Sequence, residues 1–362
     1  MLDIYAGENA LKTIQQHGFK QELFTNFLGA SGGPKWFTLF GLDKYLFGEF
    51  FNNRTTELNL IGSSAGAFRA ACFAQNNPVA AIKRLADCYS HTIYSDKPTP
   101  AEITVKAREL LAYVYGEHGC QEIIDNNIIK AHFIVAKSKG LVASEHKLSQ
   151  LLGLLSSYTL NRFDRKYLKY QYQRIVYHAP ASNIKISDQY QFDTQYLPLT
   201  NNNIHDALLA SGSIPLVMQG IKDIADSPKG MYRDGGIIDY HFDIALEEKH
   251  EGCQQNISKK TQGLTLYPHF NSNPKPGWFD KNSKRTPQAK HYDNIVMLVP
   301  SAKFVQSLPY QKIPDRKDFE NFDAATRIKY WQTVLSETDR LATSFADLLA
   351  KQNFSQIMAF EF

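Results

Sequence analysis

Cysteine is scarce in this chain, and long apolar runs are missing. Cys72, Cys88, Cys120 and Cys253 lie scattered with no C-x-x-C pair. That pattern builds neither a disulfide framework nor a zinc site, and it fits a reducing compartment. The first twenty residues include Asp3, Glu8 and Lys12 and contain no apolar core of signal-peptide length, so a cleaved leader is not expected. No uninterrupted apolar stretch is long enough to span a bilayer, which leaves the surface as the only place from which the chain would act on a membrane. A strong charge of one sign is also lacking. Forty Lys and Arg against 36 Asp and Glu leave a formal net charge of +4, with no basic block of the kind that tracks phosphates. Nucleic acid is therefore not an expected partner.

Two nucleotide-binding loops are missing as well. Gly29-Ala30-Ser31-Gly32-Gly33-Pro34-Lys35 is glycine-rich, but Pro34 separates Gly33 from Lys35 and Trp36 follows, so it is not a P-loop. Nor does it match G-x-G-x-x-G.

The 362 residues are 43% hydrophobic and 21% charged, a soluble, globular composition. Residues 24–30 and 57–61 read as strands, each followed by a glycine turn and then a helical pattern, over 35–50 and 65–75. This is the βαβ pattern and predicts a parallel sheet. Helical spacing recurs at 7–17, 79–91, 101–115, 121–127, 145–156 and 203–210. Further strands are expected at 132–136, within 167–179, and at 264–268 and 294–300. Residues 319–351 read as one long helix or two joined ones. Residues 271–289, rich in proline, asparagine and charge, read as a flexible loop. No internal repeat is present.

Three turns can carry chemistry. Gly62-Ser63-Ser64-Ala65-Gly66 satisfies G-x-S-x-G between a strand and a helix, the setting of a nucleophile elbow. Glycines are needed there because larger side chains would clash. Ser64 holds the motif position, and Ser63 is its rival. At the Gly32-Gly33-Pro34-Lys35 turn, uncovered backbone N–H groups can cradle an oxyanion. Proline has no N–H, so Gly32 and Gly33 must supply the donors, and Pro34 suits a first helical position. At Asp234-Gly235-Gly236, glycines allow close backbone approach, which can aim the carboxylate into a site. Each of the three also reads as an ordinary turn.

Taken in order, the three turns resemble the motifs of the patatin-like phospholipases: a Gly-Gly-x-Arg/Lys turn, a G-x-S-x-G elbow and a distal Asp-Gly-Gly/Ala. Ala210-Ser211-Gly212-Ser213-Ile214-Pro215 resembles that family's Ala-Ser-x-Ala-x-Pro segment. The resemblance covers residues 24 to 240. It departs where the family opens with Asp-Gly-Gly-Gly and follows its aspartate with Asn-Asn-Pro; here Ile238-Asp239-Tyr240-His241 stands instead. The resemblance implies an α/β three-layer sandwich, a mostly parallel sheet flanked by helices, forming one domain over residues 1–362. Residues 241–362 would pack on the motif-bearing core. It implies a Ser64–Asp234 dyad that cleaves acyl lipids, phospholipids among them, through an acyl-enzyme. Gly32, Gly33 and Ala65 would form the oxyanion hole, supported by Gly62, Gly66, Lys35, Gly235 and Gly236. Lys35 would meet a lipid phosphate or brace its loop. No metal or cofactor is implied. An acyltransferase or thioesterase using the same dyad, and a slow lipid-binding regulatory protein, stay open beside the hydrolase.

Other residues give rival readings. His205, His241 and His269 are candidates for a Ser–His–Asp arrangement. Asp239-Tyr240-His241-Phe242-Asp243 alternates as metal ligands along a strand do, without a further ligand singled out. Residues 158–174 interleave aromatic and basic residues, and Trp278-Phe279 sits among Lys275, Lys281, Lys284 and Arg285. Both stretches fit contact with a membrane surface as well as a solvated connector. The expected location is cytoplasmic, with peripheral membrane contact, and export without a cleaved signal stays open.

Overall fold

The computed structural model describes residues 1–248 and 263–362; Cys253 lies outside them. In chain order the strands are β1 (Leu2–Ala6), β2 (Phe24–Gly29), β3 (Leu58–Ser63), β4 (Ile129–Ser138), β5 (Tyr172–His178), β6 (Ile184–Ser187), β7 (Thr194–Pro198), β8 (Ile221–Lys222), β9 (Met231–Asp234), β10 (Ala245–Glu248), β11 (Leu264–Pro268), β12 (Ile295–Pro300) and β13 (Met358–Ala359). One sheet of eleven strands runs β13-β1-β12-β11-β2-β3-β4-β5-β7, with β9 on β4 and β8 on β9. β6 and β10 pair separately.

The interior strands β12, β11, β2, β3 and β4 are parallel. Every residue of β3, β11 and β12 is buried, as expected for parallel strands covered by helices on both faces. The fold is thus the α/β sandwich expected, with a mostly parallel interior and antiparallel pairs at the flanks.

The helix that follows β3, Ala65–Phe73, is buried along almost its whole length. Phe73 stacks on Phe47 at 3.8 Å. Arg69 is held by the equally buried Asp43 through two bonds, at 2.8 and 2.6 Å. A buried guanidinium needs such a partner, because an unpaired charge in the interior is strongly unfavourable.

Several elements differ from their sequence signals. The 35–50 stretch is a 3-10 turn (Gly33–Leu39), a short α-helix (Phe40–Tyr45) and a π turn (Leu46–Phe50). The 319–351 stretch takes the second of its two expected forms, mainly two joined helices, Ala324–Glu337 and Asp339–Lys351. They break at Thr338, whose Oγ accepts from Gly41 N at 2.9 Å. A Cβ on Gly41 would lie 2.2 Å from the Thr338 carbonyl oxygen, so the break coincides with a close approach of two backbones. The helix expected over 145–156 continues to Phe163.

Residues 271–289 are irregular, as their composition suggests, yet they are tied down. Buried Asp280 accepts from Gly277 N at 3.1 Å and Asn161 Nδ2 at 2.8 Å, and it pairs with Arg165 and Arg285. Trp278 and Phe279 pack partly buried on a small cluster that includes Val142 and Leu168. Among the described residues no helix is long and apolar enough to cross a membrane.

Candidate active site

The site arises from a shared strand edge. β5 pairs with β4 from His132 to Ser138, occupying one edge. The opposite edge is divided. β3 takes it in parallel as far as Ser63, opposite Ile134. β9 takes it antiparallel from Ser138 down to Val135, opposite Asp234. Two strands running toward each other on one edge must meet end to end, and their last residues, Ser63 and Asp234, face adjacent positions of β4. Ser64, the residue after Ser63, and Asp234, 170 positions apart in sequence, are thereby adjacent in space.

Ser64 is the first residue beyond β3. It has φ 52° and ψ −123°, a sparsely populated conformation for a residue with a Cβ, and the Ala65–Phe73 helix starts immediately after it. The turn is tight enough to exclude side chains. A Cβ on Gly66 would lie 1.7 Å from the Gly29 carbonyl oxygen, and one on Gly62 would lie 2.4 Å from the Gly66 backbone. The Ser64 amide donates to Ser211 Oγ at 3.0 Å, and that hydroxyl donates to the Ile134 carbonyl at 2.7 Å. Ser211 thus closes the gap in the ladder where β3 and β9 both end.

Ser64 Oγ donates to Asp234 Oδ2 at 3.0 Å. The other carboxylate oxygen, Oδ1, accepts from Gly236 N at 2.7 Å. The Asp234 amide donates to the Ser213 carbonyl at 3.1 Å. A Cβ on Gly235 would lie 2.0 Å from the Ile134 carbonyl oxygen, so only glycine can follow Asp234 without displacing β4. Ser64 and Asp234 are 6% and 7% exposed. Burial pushes the Asp234 carboxyl up to about 6; the bonds from Gly236 and Ser64 and the charges of Lys281 and Arg316 act in the opposite direction.

The glycine turn after β2 lies alongside. Ser31 Oγ is 3.0 Å from Ser63 Oγ, and Ser31 N donates to the Tyr240 carbonyl at 3.0 Å. Gly33 has φ 56°, and a Cβ on Gly32 would collide with the Phe270 ring at 2.6 Å. Among the described residues the amides of Gly32, Gly33 and Ala65 donate to no protein acceptor. Lys35 pairs with Asp315 at 3.2 Å.

Sequence reasoning missed several neighbours of the dyad. Lys281 lies with its ammonium 4.2 Å from the Tyr240 ring centre and 5.4 Å from that of Trp278. Much of its side chain is exposed, yet desolvation of the ammonium, reinforced by repulsion from Arg316 and Lys35, lowers its pKa to about 7. The negative charge of Asp234 raises the pKa of the buried Tyr240 phenol further. These residues come from separate loops, and no local motif marks them. Ser211 and Ser213 stand in the sequence only as members of a motif, which assigns them no role.

The rival constellations are engaged elsewhere. Among the described residues no histidine hydrogen-bonds to Ser64 or Asp234. His241 Nδ1 accepts from Lys275 N at 2.9 Å, His269 Nδ1 accepts from Asn271 N at 2.9 Å, and His205 lies against Cys120. Burial and the neighbouring imidazole hold His241 well below the usual range. Asp239 is bound by both Arg174 nitrogens Nε and Nη2, at 2.6 and 2.9 Å, and Asp243 pairs with His291 at 2.7 Å. Among the described residues no group of three or more His, Cys, Asp or Glu is placed to hold a metal ion.

No family model matches the chain, and no curated protein matches it. Among solved structures, VipD from Legionella pneumophila is similar, with a TM-score of 0.31 and 11% identity over 74% of this chain. The chain spans about half of that protein, 52% of its length.

Proposed function

We propose that this chain is a serine acyl hydrolase that cleaves carboxylic esters of phospholipids or related acyl lipids. The observation that carries the reading is the 3.0 Å bond from Ser64 Oγ, on an elbow at φ 52°, to the buried carboxylate of Asp234. A serine hydroxyl is a weak nucleophile until a base within hydrogen-bond reach can take its proton. Asp234 is that base. The four ordered motifs around it support the choice of an acyl lipid as substrate.

In this mechanism Ser64 Oγ attacks the ester carbonyl and its proton passes to Asp234. The carbonyl oxygen becomes an oxyanion, stabilised by the free amides of Gly32, Gly33 and Ala65. The intermediate collapses, the carbon–oxygen bond to the alcohol breaks, and the leaving oxygen takes the proton from Asp234. Water then attacks the acyl-enzyme, again giving its proton to Asp234. Collapse returns that proton to Ser64 Oγ and frees the acid. Lys281 and Arg316 favour the carboxylate form of Asp234, opposing the effect of burial.

The test is labelling by a fluorophosphonate, together with turnover of a p-nitrophenyl ester and lipid panel. Wild type should label at Ser64. Ser64→Ala should lose labelling and turnover. Asp234→Asn should lose turnover by about a hundredfold or more while remaining folded. Labelling at another serine, or undiminished turnover in Ser64→Ala, rejects the reading.

A further inference from the structure

The helix Lys147–Phe163 is inside out. Its inward face is mostly polar or small, with Gln150, Gly153, Ser157 and Asn161 buried and Leu154 the one large apolar side chain among them. Its outward face carries Leu148, Leu151, Leu152 and Leu155, which are 65, 50, 60 and 60% exposed. Tyr158 continues the series at the same helical spacing and is also exposed. A surface helix normally turns its apolar stripe toward the core. Here the opposite orientation is locked. Gln150 Nε2 donates to the Ser144 carbonyl at 2.9 Å, and its Oε1 accepts from Leu216 N at 2.8 Å. Ser157 Oγ bonds Gln171 at 2.8 Å, and Asn161 Nδ2 donates to Asp280 at 2.8 Å. Rotating the leucines inward would break all of these bonds. Scattered exposed leucines need no explanation, but a contiguous stripe marks a contact surface.

The surroundings of the stripe identify what it meets. Phe163 ends the helix and Tyr170 lies just beyond it; they are the most exposed aromatics among the described residues, at 79% and 68%. Tyr167 stacks on Tyr170. Arg162, Lys166 and Lys169 flank these residues, and Lys147 stands at the other end of the leucine stripe. Asp164 is the acid among them, and it is already paired with Lys166 at 2.9 Å. Lys147, Arg162 and Lys169 form no ion pair among the described residues. Apolar side chains in a stripe, aromatic rings at its end and unpaired cations at its margin match an anionic lipid surface. The leucines enter the acyl boundary, the rings sit at headgroup level and the cations meet phosphates.

Position adds a further argument. Gln150 holds the amide of Leu216, in the segment whose Ser213 carbonyl binds the Asp234 amide. Asn161 holds Asp280, the neighbour of Lys281, whose charge acts on Asp234. The helix is fixed to both segments that flank the dyad.

We propose that the outward face of this helix, with Phe163, Tyr170 and their basic neighbours, docks the protein on the surface of an anionic lipid bilayer. The acyl-hydrolase reading supplies the reason for docking, but docking itself does not require Ser64. Co-sedimentation of the full chain with phosphatidylcholine vesicles, with and without phosphatidylserine, tests it. Wild type and Ser64→Ala should both bind the phosphatidylserine vesicles, and high salt should weaken binding. Leu152→Glu with Leu155→Glu should lower partitioning about tenfold or more, and Leu152→Ser with Leu155→Ser should also lower it, since these side chains touch nothing in the core. Hydrolysis of a soluble p-nitrophenyl ester should be unchanged in both variants. Arg162→Glu with Lys169→Glu should abolish the preference for phosphatidylserine.

The proposal is overturned if wild type stays in the supernatant, or if the leucine variants bind as wild type does. It is equally overturned if ultracentrifugation shows the stripe to be a contact between two copies, dissociated by the leucine substitutions, with no vesicle binding. Ester hydrolysis without vesicle binding rejects docking alone. Vesicle binding without ester hydrolysis rejects the enzymatic reading alone.

Discussion

At the scale of the residue, Asp234 is a carboxylate kept partly against its solvation. Its pKa near 6 reflects burial that the bonds from Gly236 and Ser64 only partly offset. A base must be ionised to accept a proton, so kcat/KM for a neutral ester should rise with pH and level off above an inflection near 6. A flat profile between pH 5 and about 7.5 would remove Asp234 from the role. Stability moves the other way. The folded state binds the Asp234 proton more tightly than the unfolded chain does. That contribution to stability is therefore full below the ordinary value of 3.8 and is lost as pH rises through about 6. Asp234→Asn has no such titration. Its stability relative to wild type should rise by about 2–3 kcal/mol between pH 4 and pH 8, measured by urea unfolding at each pH. An unchanged difference would mean that burial does not set this group's protonation.

At the scale of the element, the strand–elbow–helix unit depends on backbone contact more than on side chains. Gly66 faces the Gly29 carbonyl so closely that a methyl group must displace β2 or the helix. Gly66→Ala should cost about 3 kcal/mol or more and abolish turnover. Gly140 has φ 65° but open space around it, so Gly140→Ala should show only conformational strain, about 1–2 kcal/mol, with turnover kept. Equal effects in thermal melts of the two variants would contradict the packing argument. Much at this scale was legible in sequence. The alternating strand, glycine-turn and helix signals marked β2, β3 and the helices after them, because apolar runs and glycine punctuation are local. The short strands β1, β6, β7, β8, β9, β10 and β13 carry no clear sequence signal, since two to five residues, most with a charged or polar position, give little periodicity; β11, also of five, is legible as a wholly buried run. The 35–50 stretch was read as helix, but three turn types share it, a choice that packing around the turn makes and spacing does not report.

At the scale of the molecule, the distal part of the chain builds the interior of the sheet. β11 and β12 stand between β1 and β2, and β11 covers the edge of β2 opposite the elbow strand. A fragment ending at residue 248 retains Gly32, Ser64 and Asp234 but leaves the edge of β2 open. Such a fragment should lack a cooperative unfolding transition in circular dichroism and should not label with fluorophosphonate. A cooperatively folded fragment that labels at Ser64 would make the remainder an accessory.

Local chemistry alone determined that Ser64 occupies an elbow, that Gly32 and Gly33 offer amides and that Asp234 begins a tight turn, because backbone sterics act between near neighbours. Only the tertiary structure decided that these groups meet. The division of one β4 edge between β3 and β9 is a pairing choice made across 170 positions, and no periodicity in either strand encodes it. The same holds for the helix Lys147–Phe163. Helical spacing over 145–156 marks a helix but not its orientation; the hydrogen bonds of Gln150, Ser157 and Asn161 decide which face the protein holds inward.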